Sequence, residues 1–393
     1  MGFDPDDSQA DVIMRGPEER VLVTAGPGSG KTFTLVKRVA RLVASGIRPS
    51  EMLVMSFTRA AVTEVAGRIR GDCEGVSEED TARMVRTFDS WATALLRDDG
   101  GYGADVLDEM DYTDRIEAAT ALVGSRPEVI AGVRHLVVDE VQDLVGVRAD
   151  LVLALIRSLP ATCGVTLLGD PCQALYDYQV DGEAGEMDSD GFRASEEVSG
   201  FEALALAGEH RSGGSRPAWF SDDLASMRES ILASDRRMSG LRTSSTLEDM
   251  VERACAAPWD VTDDLAEHPG PYSVGVLVRT NREAVDVAGM IGVYLMVSYR
   301  GGDDVPCRVV THGPYSDEEG PDEVGPAGRG ITVITVHASK GRQYDSVYIA
   351  PKTTDWFLDC LFLAGRDSLA EARAAYVALT RSKGQTRALS FGA

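Results

Sequence analysis

The stretch VLVTAGPGSGKTFTLVKRV, at Val21–Val39, joins a short apolar run to a glycine-rich loop and then to a helical pattern. The apolar run Val21–Ala25 predicts a buried strand, and the pattern over Thr32–Val43 predicts a helix. The loop between them, AGPGSGKT at Ala25–Thr32, has the spacing of a phosphate-binding P-loop, with Ala25 at the first position, where glycine is commoner. This strand–loop–helix order predicts an α/β fold that binds a nucleotide.

The loop residues have distinct predicted roles in nucleotide binding. The glycines let the backbone curl so that its N–H groups point at phosphate oxygens. Lys31 is expected to reach the β- and γ-phosphates, and the Thr32 hydroxyl is expected to ligate Mg²⁺ at the helix N-terminus. The residues predicted to hold ATP here are Gly26, Gly28, Ser29, Gly30, Lys31 and Thr32.

A P-loop needs a second, acidic element, and LVVDEVQD at Leu136–Asp143 supplies it at the end of an apolar run. Asp139 is expected to hold Mg²⁺, usually through water, and Glu140 is expected to orient and deprotonate the attacking water. Phosphoryl transfer also needs positive charge on the γ-phosphate in the transition state. Because the chain has 34 arginines, position alone does not identify the residue that supplies it.

Further apolar runs alternate with helical patterns, which is typical of parallel strands covered on both faces. The predicted strands are Met52–Ser56, His135–Glu140, Gly164–Asp170, Tyr272–Val278, Gly330–Val336 and Asp345–Pro351. We therefore predict an α/β protein with a domain boundary near 195–215. Segment 178–200 is rich in Asp, Glu, Gly and Ser and predicts a surface loop, whereas 301–330 is rich in Gly, Pro and Asp and predicts a long connection.

The composition limits the class of protein. The chain has 393 residues, which favours two or three domains, and 44% of them are hydrophobic, too many for a disordered chain. No apolar run approaches the ~20 residues of a membrane helix, so we expect a cytoplasmic protein with no membrane partner. The six cysteines and five histidines are scattered and form no zinc-ligand pattern. The net charge of −24 argues at first against nucleic acid, because phosphates repel an acidic partner.

The ordered motifs of the N-terminal half resemble those of superfamily 1 helicases of the UvrD/Rep type. Gln9 resembles the adenine-reading glutamine that precedes the P-loop of that family. The stretch Leu53–Ile69 resembles motif Ia, and VRTFDSW at Val85–Trp91 resembles the next DNA-contacting motif, with Asp89 where the family usually has His. The resemblance implies contacts to single-stranded DNA by Phe57, Thr58, Arg59, Thr87 and Phe88.

The stretch LLGDPCQALYDY, at Leu167–Tyr178, resembles motif III of the same family. The resemblance implies that Gln173 senses the γ-phosphate and that Tyr176 and Tyr178 stack on bases of the strand. Such stacking grips bases regardless of sequence, although core packing is the other interpretation of these aromatic residues. Gln179 stands where an Arg is common in the family.

Two arginines of the C-terminal half are identified by the same resemblance. GEHRS at Gly208–Ser212 resembles motif IV, with His210 for the usual Tyr and Arg211 as the first arginine finger. EARAAYVALTRSK at Glu371–Lys383 resembles motif VI, with Arg381 as the second finger. The resemblance thus implies that both arginines place positive charge on the γ-phosphate.

The stretch TVITVHASKGRQYDSVYI, at Thr332–Ile349, resembles motif V. Here the resemblance implies that His337 contacts the strand, while Gly341 and Gln343 contact the nucleotide. Gln343 stands where a Glu usually contacts the ribose, so this departure loosens the expected nucleotide selectivity. Seven motifs in the family's order make the resemblance specific.

The resemblance implies two RecA-like lobes with parallel sheets. The N-terminal, ATP-binding lobe is expected at 1–205, with a small helical insertion at about 92–134, and the C-terminal lobe with the arginine fingers is expected at 206–393. ATP with Mg²⁺ would sit between the lobes, and its hydrolysis would ratchet a strand held across both. The accessory insertions are short or absent, so we expect a pared-down motor core with weak or partner-dependent unwinding.

The implied activity is ATP hydrolysis stimulated by single-stranded DNA, in a helicase or translocase of DNA repair or replication. The motif II form DEVQD, at Asp139–Asp143, implies 3′→5′ movement. The implied partners are single-stranded DNA, junctions between single and double strands, and a protein that supplies processivity. The pathway and the oligomeric state stay open.

Two alternative functions remain. A translocase that strips or loads proteins without unwinding DNA shares every motif, so the sequence barely separates it from a helicase. A regulator that binds nucleotide or DNA without hydrolysis would usually lose the P-loop Lys, the Asp–Glu pair or an arginine finger. This chain retains Lys31, Asp139, Glu140, Arg211 and Arg381, which disfavours the regulator.

The net charge is compatible with DNA binding, because it is a whole-surface sum whereas a DNA track is local. Arg59, Arg68, Arg70 and Arg86 lie around the motifs expected to meet the strand, with a solvated helix face as the other interpretation. The acid excess, with only five lysines among 39 basic residues, then needs another cause. We hypothesise adaptation to a salty cytoplasm, where salt screens the self-repulsion of an acidic surface.

Overall fold

The structure of the protein is a computed structural model. It describes residues 4–73, 75–176, 187–210, 217–233, 251, 253–268, 270–298, 307–310, 329–362, 366–384 and 386–390. The chain divides into two compact units, Met1–Arg211 and Ser212–Ala393. Each unit is built on a six-stranded sheet whose strand pairs are all parallel. The predicted α/β class is therefore confirmed.

The first unit alternates strands and helices around its sheet. The strands are β1 (Arg20–Ala25), β2 (Met52–Ser56), β3 (Val85–Thr87), β4 (His135–Val138), β5 (Gly164–Gly169) and β6 (Glu202–Leu206), in the sheet order β3-β2-β4-β5-β1-β6. The helices are α1 (Asp7–Met14), α2 (Lys31–Ala44), α3 (Arg59–Asp72), α4 (Glu78–Met84), α5 (Phe88–Asp99), α6 (Ala104–Glu109), α7 (Tyr112–Ser125), α8 (Gly146–Ser158), α9 (Ser189–Ala194) and α10 (Glu196–Ser199). Short 3₁₀ turns cover Pro49–Glu51, Pro127–Ile130, Val141–Asp143 and Pro171–Gln173.

The central strands of this sheet are buried on both faces, as their continuous apolar runs predict. Along β4, Leu136 and Val138 pack into one hydrophobic cluster, whereas Val137 between them packs into the other. This alternation follows from the two-residue period of a strand, which turns successive side chains to opposite faces. The strand ends are thereby held in a row, so the residues that follow β1, β4 and β5 meet at one edge.

Two predicted features of the first unit can be compared directly with the structure. The small helical piece predicted at about 92–134 corresponds to the end of α5 together with α6 and α7. The surface loop predicted at 178–200 is wrong over its second half, where α9 and α10 lie. Phe192 and Val198 are buried at 0% and 1% exposure and belong to the core, so this acidic segment packs through two apolar anchors.

The second unit repeats the parallel design. Its strands are β7 (Cys255–Ala256), β8 (Ser273–Val278), β9 (Cys307–Val310), β10 (Gly330–Thr335), β11 (Ser346–Ile349) and β12 (Thr386–Leu389), in the order β7-β12-β11-β8-β10-β9. Its described helices are α11 (Ala218–Ala233), α12 (Pro258–Glu267), α13 (Asn281–Ser298), α14 (Pro351–Phe362) and α15 (Arg366–Leu379). The central strand β8 is buried from Val274 to Val278 and pairs with β10 and β11.

Some strands were absent from the sequence prediction. The long connection predicted at 301–330 is wrong at Cys307–Val310, which forms β9 and pairs with β10. Strand β6 spans the predicted division between residues 205 and 206 and pairs with β1. Both are edge strands, and β6 has the sequence EALAL, whose Glu and Ala are not typical of strands.

Among the described residues, no helix is long and apolar enough to cross a membrane. Cys73, Cys163 and Cys172 are buried, and Cys255 is exposed. Burial raises the pKa of the Cys163 thiol to about 11. A buried thiol with a raised pKa is an inert core residue rather than a nucleophile.

Candidate functional site

The P-loop connects β1 to α2 through a backbone that requires glycine. Gly28 and Gly30 have φ of 79° and 78°, in the left-handed region that favours glycine. Gly30 is also the N-cap of α2, and the Ser29 hydroxyl donates to the Gly26 carbonyl at 2.8 Å across the loop. The loop therefore presents the N-terminus of α2, with its unpaired N–H groups, at the carboxyl edge of the sheet.

Lys31, the first residue of α2, contacts both acidic residues that follow β4. Its Nζ lies 3.0 Å from Asp139 Oδ1 and 2.5 Å from Glu140 Oε2. Asp139 is 4% exposed, so these charges interact where water screens them little. Burial alone would lower the pKa of Lys31, but the attraction of the two carboxylates outweighs burial and raises it. The lysine is therefore held protonated.

Glu140 has an unusual backbone conformation. Its φ of 57° and ψ of 42° place it in the left-handed region, and no other non-glycine residue among those described has a positive φ. The Glu140 amide donates to Asp139 Oδ1 at 2.9 Å, and the Asp139 amide donates to the Met55 carbonyl at 2.9 Å. A strained residue of this kind persists only where its surroundings determine it, and such residues concentrate at functional sites.

A chain of hydrogen bonds runs from Glu140 to Gln173. Gln142 Nε2 donates to Glu140 Oε2 at 2.5 Å, and Gln142 Oε1 accepts from the Asp170 amide at 2.9 Å. Gln173 Nε2 then donates to Asp170 Oδ2 at 2.8 Å. Sequence reasoning assigned roles to Glu140 and Gln173 but none to Gln142 or Asp170. The signal was present in DEVQD, where Gln142 follows Glu140 by two residues.

Gln9 lies against the P-loop. Its side chain is buried, Nε2 donates to the Ser29 carbonyl at 3.0 Å, and Oε1 accepts from the Asp6 amide at 3.1 Å. A Cβ placed on Gly30 would overlap Gln9 Nε2, so the close approach of this amide also requires glycine. The structure thus places Gln9 against the P-loop, while its role in reading adenine stays a prediction.

Arg38, on α2, holds the end of the helix that carries Gln9. Its guanidinium is fully buried and donates to the carbonyls of Ile13, Arg15 and Gly16, at 3.2 Å for Ile13 and 2.8 Å for Gly16. Burial lowers the pKa of Arg38 to about 10. Ile13 lies in the last turn of α1 and Arg15 is its C-cap, so Arg38 caps the C-terminus of that helix. Sequence reasoning missed Arg38 because nothing distinguishes it among 34 arginines.

His210, which stands for the family's usual Tyr, lies beside the same loop. Its amide donates to the Gly28 carbonyl at 2.7 Å, and its Nε2 lies 2.7 Å from Asp6 Oδ2. The end of the first unit is thus tied both to the P-loop and to the residue that caps α1. Arg211, predicted as the first arginine finger, lies outside the described residues.

The residues predicted to meet DNA in motif Ia follow strand β2. Phe57 is half-buried and packs edge-to-face on Phe88, with ring centroids 5.0 Å apart. Thr58 and Arg59 are exposed, and the Thr58 hydroxyl caps α3 by accepting from the Ala61 amide at 3.1 Å. The exposed Arg59 side chain can therefore reach a phosphate, whereas the Thr58 hydroxyl already caps α3.

The prediction that Phe88 contacts DNA is wrong in this structure, because its side chain has no exposed surface. It is part of the core and supports Phe57 from below. Thr87 caps α5 by accepting from the Ser90 amide at 3.2 Å. Asp89, where the family usually has His, pairs with Arg148 at 3.2 Å, so this departure is absorbed into an ion pair.

Tyr176 lies half-buried after the 3₁₀ turn that carries Gln173. Tyr178 and Gln179 lie outside the described residues. Since only the motif III segment up to Tyr176 is described, the stacking roles of the two tyrosines stay predictions.

Three predicted site residues of the second unit follow strand β10. Burial, the nearby Arg279 and Lys340 together lower the pKa of His337 to about 4, against an opposing effect of Glu371. The imidazole is therefore neutral near pH 7 and can act as a hydrogen-bond partner without charge. Gly341, with φ of 78°, and Gln343 are both exposed, so each is accessible to a ligand.

Arg381, predicted as the second finger, is 3% exposed and follows α15. Its Nε donates to the Val377 carbonyl at 3.1 Å, and its terminal nitrogens donate to the Arg342 carbonyl at 3.5 Å and the Thr380 hydroxyl at 3.4 Å. These partners connect the motif VI helix to the motif V segment. The finger role itself stays a prediction.

The oxygen donors near Lys31 fit the requirements of Mg²⁺. Mg²⁺ usually takes one or two carboxylates plus phosphate oxygens and water, rather than an all-protein cage. Asp139 directly follows β4 and Thr32 lies in the first turn of α2, so one carboxylate and one hydroxyl belong to adjacent parts of the site. Within the described residues, no group of three or more His, Cys, Asp or Glu could hold a metal ion by itself. This donor set suits an ion that arrives with the nucleotide.

Comparisons with known proteins concern first the N-terminal part of the chain. Residues 6–125 match the family model of the UvrD/REP helicase N-terminal domain. A segment of 90 residues is 37% identical to an ATP-dependent helicase/nuclease subunit of Enterococcus faecalis and covers 23% of this chain and 7% of that protein. A segment of 97 residues is 36% identical to the ATP-dependent DNA helicase UvrD1 of Mycobacterium tuberculosis and covers 24% of this chain and 12% of that protein. The chain thus spans a small part of these relatives.

A solved structure extends the comparison to the whole chain. The Pif1 helicase from Candida albicans is similar over 100% of this chain and 95% of its own, with a TM-score of 0.51 and 13% sequence identity. At this identity the likeness concerns the fold alone. It confirms the predicted fold class of two RecA-like lobes with parallel sheets.

Proposed function

From the premise that the chain is a superfamily 1 helicase of the UvrD/Rep type, as its motifs predict, we propose that it is an ATP-dependent DNA helicase or translocase. Single-stranded DNA stimulates its ATP hydrolysis, and hydrolysis drives 3′→5′ movement. We further propose that the lobe at 1–205 binds ATP and that the lobe at 206–393 supplies Gly341, Gln343 and the second finger.

The observation that carries the proposal is the meeting of one lysine and two carboxylates below the P-loop. Lys31 Nζ lies 3.0 Å from Asp139 and 2.5 Å from Glu140, although the lysine and the carboxylates are more than a hundred residues apart in the chain. A regulator that only binds nucleotide has no need for an acidic residue in a strained conformation beside the phosphate site. The assembled group therefore favours hydrolysis.

Each residue of the site has a role in the proposed reaction. The P-loop N–H groups and Lys31 bind the phosphates, and Gln9 reads the adenine. Glu140 orients a water molecule and accepts its proton as the water oxygen attacks the γ-phosphorus. The bond from that phosphorus to the bridging oxygen breaks, and ADP leaves with inorganic phosphate. Arg211, Arg381 and Gln173 contact the γ-phosphoryl group while its charge is redistributed.

Asp139 and Thr32 would hold Mg²⁺, which supplies charge neutralisation at the β- and γ-phosphate oxygens when bound. In the structure Asp139 is paired with Lys31, so nucleotide binding must redistribute these contacts. Lys31 exchanges its carboxylate partners for phosphate oxygens, and Asp139 becomes available to the ion. The ion pair thus keeps two buried charges compensated until phosphate arrives.

We propose that the strand contacts the exposed ends of the same elements. Phe57 and Tyr176 stack on bases, Thr58, Arg59 and Thr87 contact the backbone, and His337 contributes from the second unit. Stacking on aromatic residues contributes ~1–3 kcal/mol per base and tolerates any sequence. We assign no direct contact to Phe88, which supports Phe57 from the core.

The first test measures ATPase rate with and without single-stranded DNA for three proteins. The wild type should hydrolyse ATP faster with DNA. Glu140→Gln should lower kcat by roughly 10²–10⁴-fold, because it removes the general base. Glu128→Gln is the matched control, since Glu128 is an exposed carboxylate of the same unit and should retain the wild-type rate. A wild-type rate indifferent to DNA would contradict the motor proposal.

The second test addresses polarity and unwinding with duplexes that carry a 3′ or a 5′ tail. We expect faster displacement from the 3′ tail, and weak displacement by the protein alone. A protein partner in the cytoplasm would supply processivity. Faster displacement from the 5′ tail would overturn the proposed polarity. DNA-stimulated ATPase with no displacement from either tail would favour the translocase that strips or loads proteins.

A further inference from the structure

We propose that Gln142 is a positioning residue that holds the general base Glu140 and joins it to Gln173 in one hydrogen-bonded unit. This inference rests on the proposed ATPase function. Gln142 touches neither ATP nor water in this scheme, so it acts through Glu140. The unit makes the position of the base depend on the same residues that contact the γ-phosphate.

The orientation of the Gln142 amide follows from the chemistry of its partners. A carboxylate can only accept and a backbone N–H can only donate, so the NH₂ group must face Glu140 and the carbonyl oxygen must face the Asp170 amide. The distances are 2.5 Å and 2.9 Å. A flipped amide would put two acceptors together at Glu140 and two donors together at Asp170. The bridge therefore has one possible polarity.

The hydrogen bonds that join Gln142 to Glu140 and Asp170 lie in a buried environment. Gln142 is 1% exposed and Asp170 is 2% exposed, so water cannot replace a lost partner easily. Asp170 in turn accepts from the Cys172 amide at 3.2 Å and from Gln173 Nε2 at 2.8 Å. A buried polar group that loses its partner incurs a desolvation cost, so the members of such a network move together.

Gly169, which has no side chain, leaves room for the Gln142 amide. A Cβ on Gly169 would lie 2.6 Å from Gln142 Oε1 and 3.2 Å from the Gln142 amide nitrogen. Real Cβ atoms essentially never lie within 3.0 Å of another atom, so the Gln142 amide would have to shift, as would the Val141 side chain, whose Cγ2 would lie 2.7 Å away. Gly169, at the end of β5, is therefore the gap into which the Gln142 amide fits.

Gln142 gains importance when Lys31, one partner of the Glu140 carboxylate, leaves it for the phosphates. In the structure the Glu140 carboxylate accepts from Lys31 and from Gln142, both at 2.5 Å. When Lys31 turns to the phosphates, the Gln142 amide stays in place and continues to hold the carboxylate. The strained backbone of Glu140, with φ of 57°, makes such a restraint necessary.

The main experiment is steady-state ATPase kinetics of Gln142→Leu and Gln142→Glu at saturating single-stranded DNA. Leucine removes both hydrogen bonds, whereas glutamate keeps the acceptor for the Asp170 amide and replaces the donor to Glu140 by a second carboxylate. We expect kcat to fall roughly 10- to 100-fold in both, because misplacement of a catalytic group by about 1 Å has an effect of that size. KM for ATP should stay within about twofold, since the phosphate contacts are unchanged.

A double-mutant cycle separates a hydrogen-bonded unit from two independent contributions. Gln173→Leu alone should also lower kcat. If Gln142 and Gln173 act as one unit, Gln142→Leu should lower kcat clearly less in the Gln173→Leu background than in wild type, because the link through Asp170 is already cut. Multiplicative losses of kcat in the double variant would overturn the link to Gln173.

Two separate Gly→Ala substitutions test the position of the Gln142 amide without removing a polar group. Gly169→Ala should displace Gln142 and reproduce the loss of kcat at nearly unchanged KM. Gly124→Ala is the matched control, because a Cβ there meets nothing within 4 Å, and it should keep wild-type kinetics. Thermal unfolding of each variant accompanies the kinetics, and Gln142→Glu covers the case in which Gln142→Leu does not fold.

The failure of this inference is distinguishable from failure of the proposed function. If wild type shows DNA-stimulated ATPase that Glu140→Gln abolishes, the proposed function stands. If folded Gln142→Glu and Gly169→Ala then keep the wild-type kcat, the positioning role of Gln142 is wrong. A variant that raises KM with unchanged kcat would also overturn it, because that pattern indicates nucleotide binding rather than positioning of the base.

Discussion

The carboxyl edges of the two sheets share an architecture but differ in chemistry. In the first unit, β1 leads into a loop with two left-handed glycines, and Lys31 meets two carboxylates there. In the second unit, β8 is followed directly by Arg279, which pairs with Glu371 at 2.6 Å and lies over the ring of the half-exposed Trp356 at 5.7 Å. The parallel sheet positions the residues after each strand, and their chemistry decides which ligands the edge can bind.

The units also differ in charge. The first, at 1–211, has 20 basic and 38 acidic residues, a net charge of −18. The second, at 212–393, has 19 and 25, a net charge of −6. The acid excess is therefore concentrated in the unit that carries the P-loop, and a single value for the whole chain conceals this asymmetry. Local groups such as Lys31 must overcome that field to attract phosphate.

The largest expected effect comes from replacing Lys31, the residue that distinguishes the edge of the first sheet from that of the second. Lys31→Met should lower ATPase activity by at least about 10²-fold, because the β- and γ-phosphates lose a charged partner. Lys352→Met is the matched control in the second unit, where the lysine is 78% exposed and lies 3.9 Å from Asp286. ATPase rates and nucleotide binding by both variants check this, and equal losses would contradict the assignment of the site to the first unit.

A second expected effect compares two glycines with the same backbone. Gly30 and Gly341 both have φ of 78°, but a Cβ on Gly30 would overlap Gln9, whereas a Cβ on Gly341 meets nothing within 4 Å. Gly341→Ala should cost about 1–2 kcal/mol of unfolding free energy, the usual penalty of the left-handed region for alanine. Gly30→Ala should cost more and raise KM for ATP. Urea unfolding with ATPase kinetics checks this, and equal effects would indicate that backbone strain alone matters.

A third expected effect concerns acid sensitivity of the first unit. Burial is the main cause that lowers the pKa of His135 to about 4, and its ring nitrogens lie 2.8 Å from the Pro17 carbonyl and 2.9 Å from the Thr166 hydroxyl. The neutral form stabilises the fold above the unfolded pKa near 6.5, and this contribution is lost as pH falls towards 4. Between about pH 7.5 and pH 5, wild type should lose ~2 kcal/mol through this residue.

Urea unfolding of wild type, His135→Gln and His268→Gln at both pH values measures this loss. His135→Gln should lack the acid-dependent part, whereas His268→Gln, which changes an exposed ring of the second unit, should follow wild type. Parallel pH dependence of wild type and His135→Gln would remove His135 as the cause.

The smallest expected effect sharpens the charge comparison. Added KCl screens repulsion between exposed acids, so thermal unfolding should shift upward by a few degrees between low and molar salt. The shift should be larger for the first unit, whose net charge is −18. Calorimetry measures the shift in melting temperature for the whole chain, and a spectroscopic probe attached to each unit measures the shift for that unit. A melting temperature that stays flat or falls with KCl would count against adaptation to a salty cytoplasm.

Much of the fold could be predicted from local sequence. Met52–Ser56 forms a strand with the predicted bounds, because five consecutive apolar or small residues fill a position that is buried on both faces. Prediction from sequence failed for strands that form because they pair with a neighbouring strand rather than because of their own composition. Strand β6, with the sequence EALAL, exists because β1 offers it a free edge, and β9 exists because β10 does. Such edges are set by residues distant in the chain.

The candidate site shows the same division. Lys31, Asp139 and Glu140 could be predicted because each stands in a contiguous motif whose spacing is required by phosphate chemistry. Phe88 stands in such a motif as well, yet its ring lies in the core. A sequence motif does not specify whether a side chain points towards the core or towards the surface. Arg38 could not be predicted, because its three acceptors come from the end of another helix.

The sequence by itself determined the α/β class, the P-loop and the acidic pair, since these depend on hydrophobic period and on short motifs within a few residues of one another. Only the tertiary structure decided which groups touch. It brought Gln142 to Glu140 and to the Asp170 amide, packed the Gln142 amide against Gly169, and placed Gln9 against Gly30. The physical reason is that hydrogen bonds act over about 3 Å, a distance that folding, and not proximity along the chain, establishes.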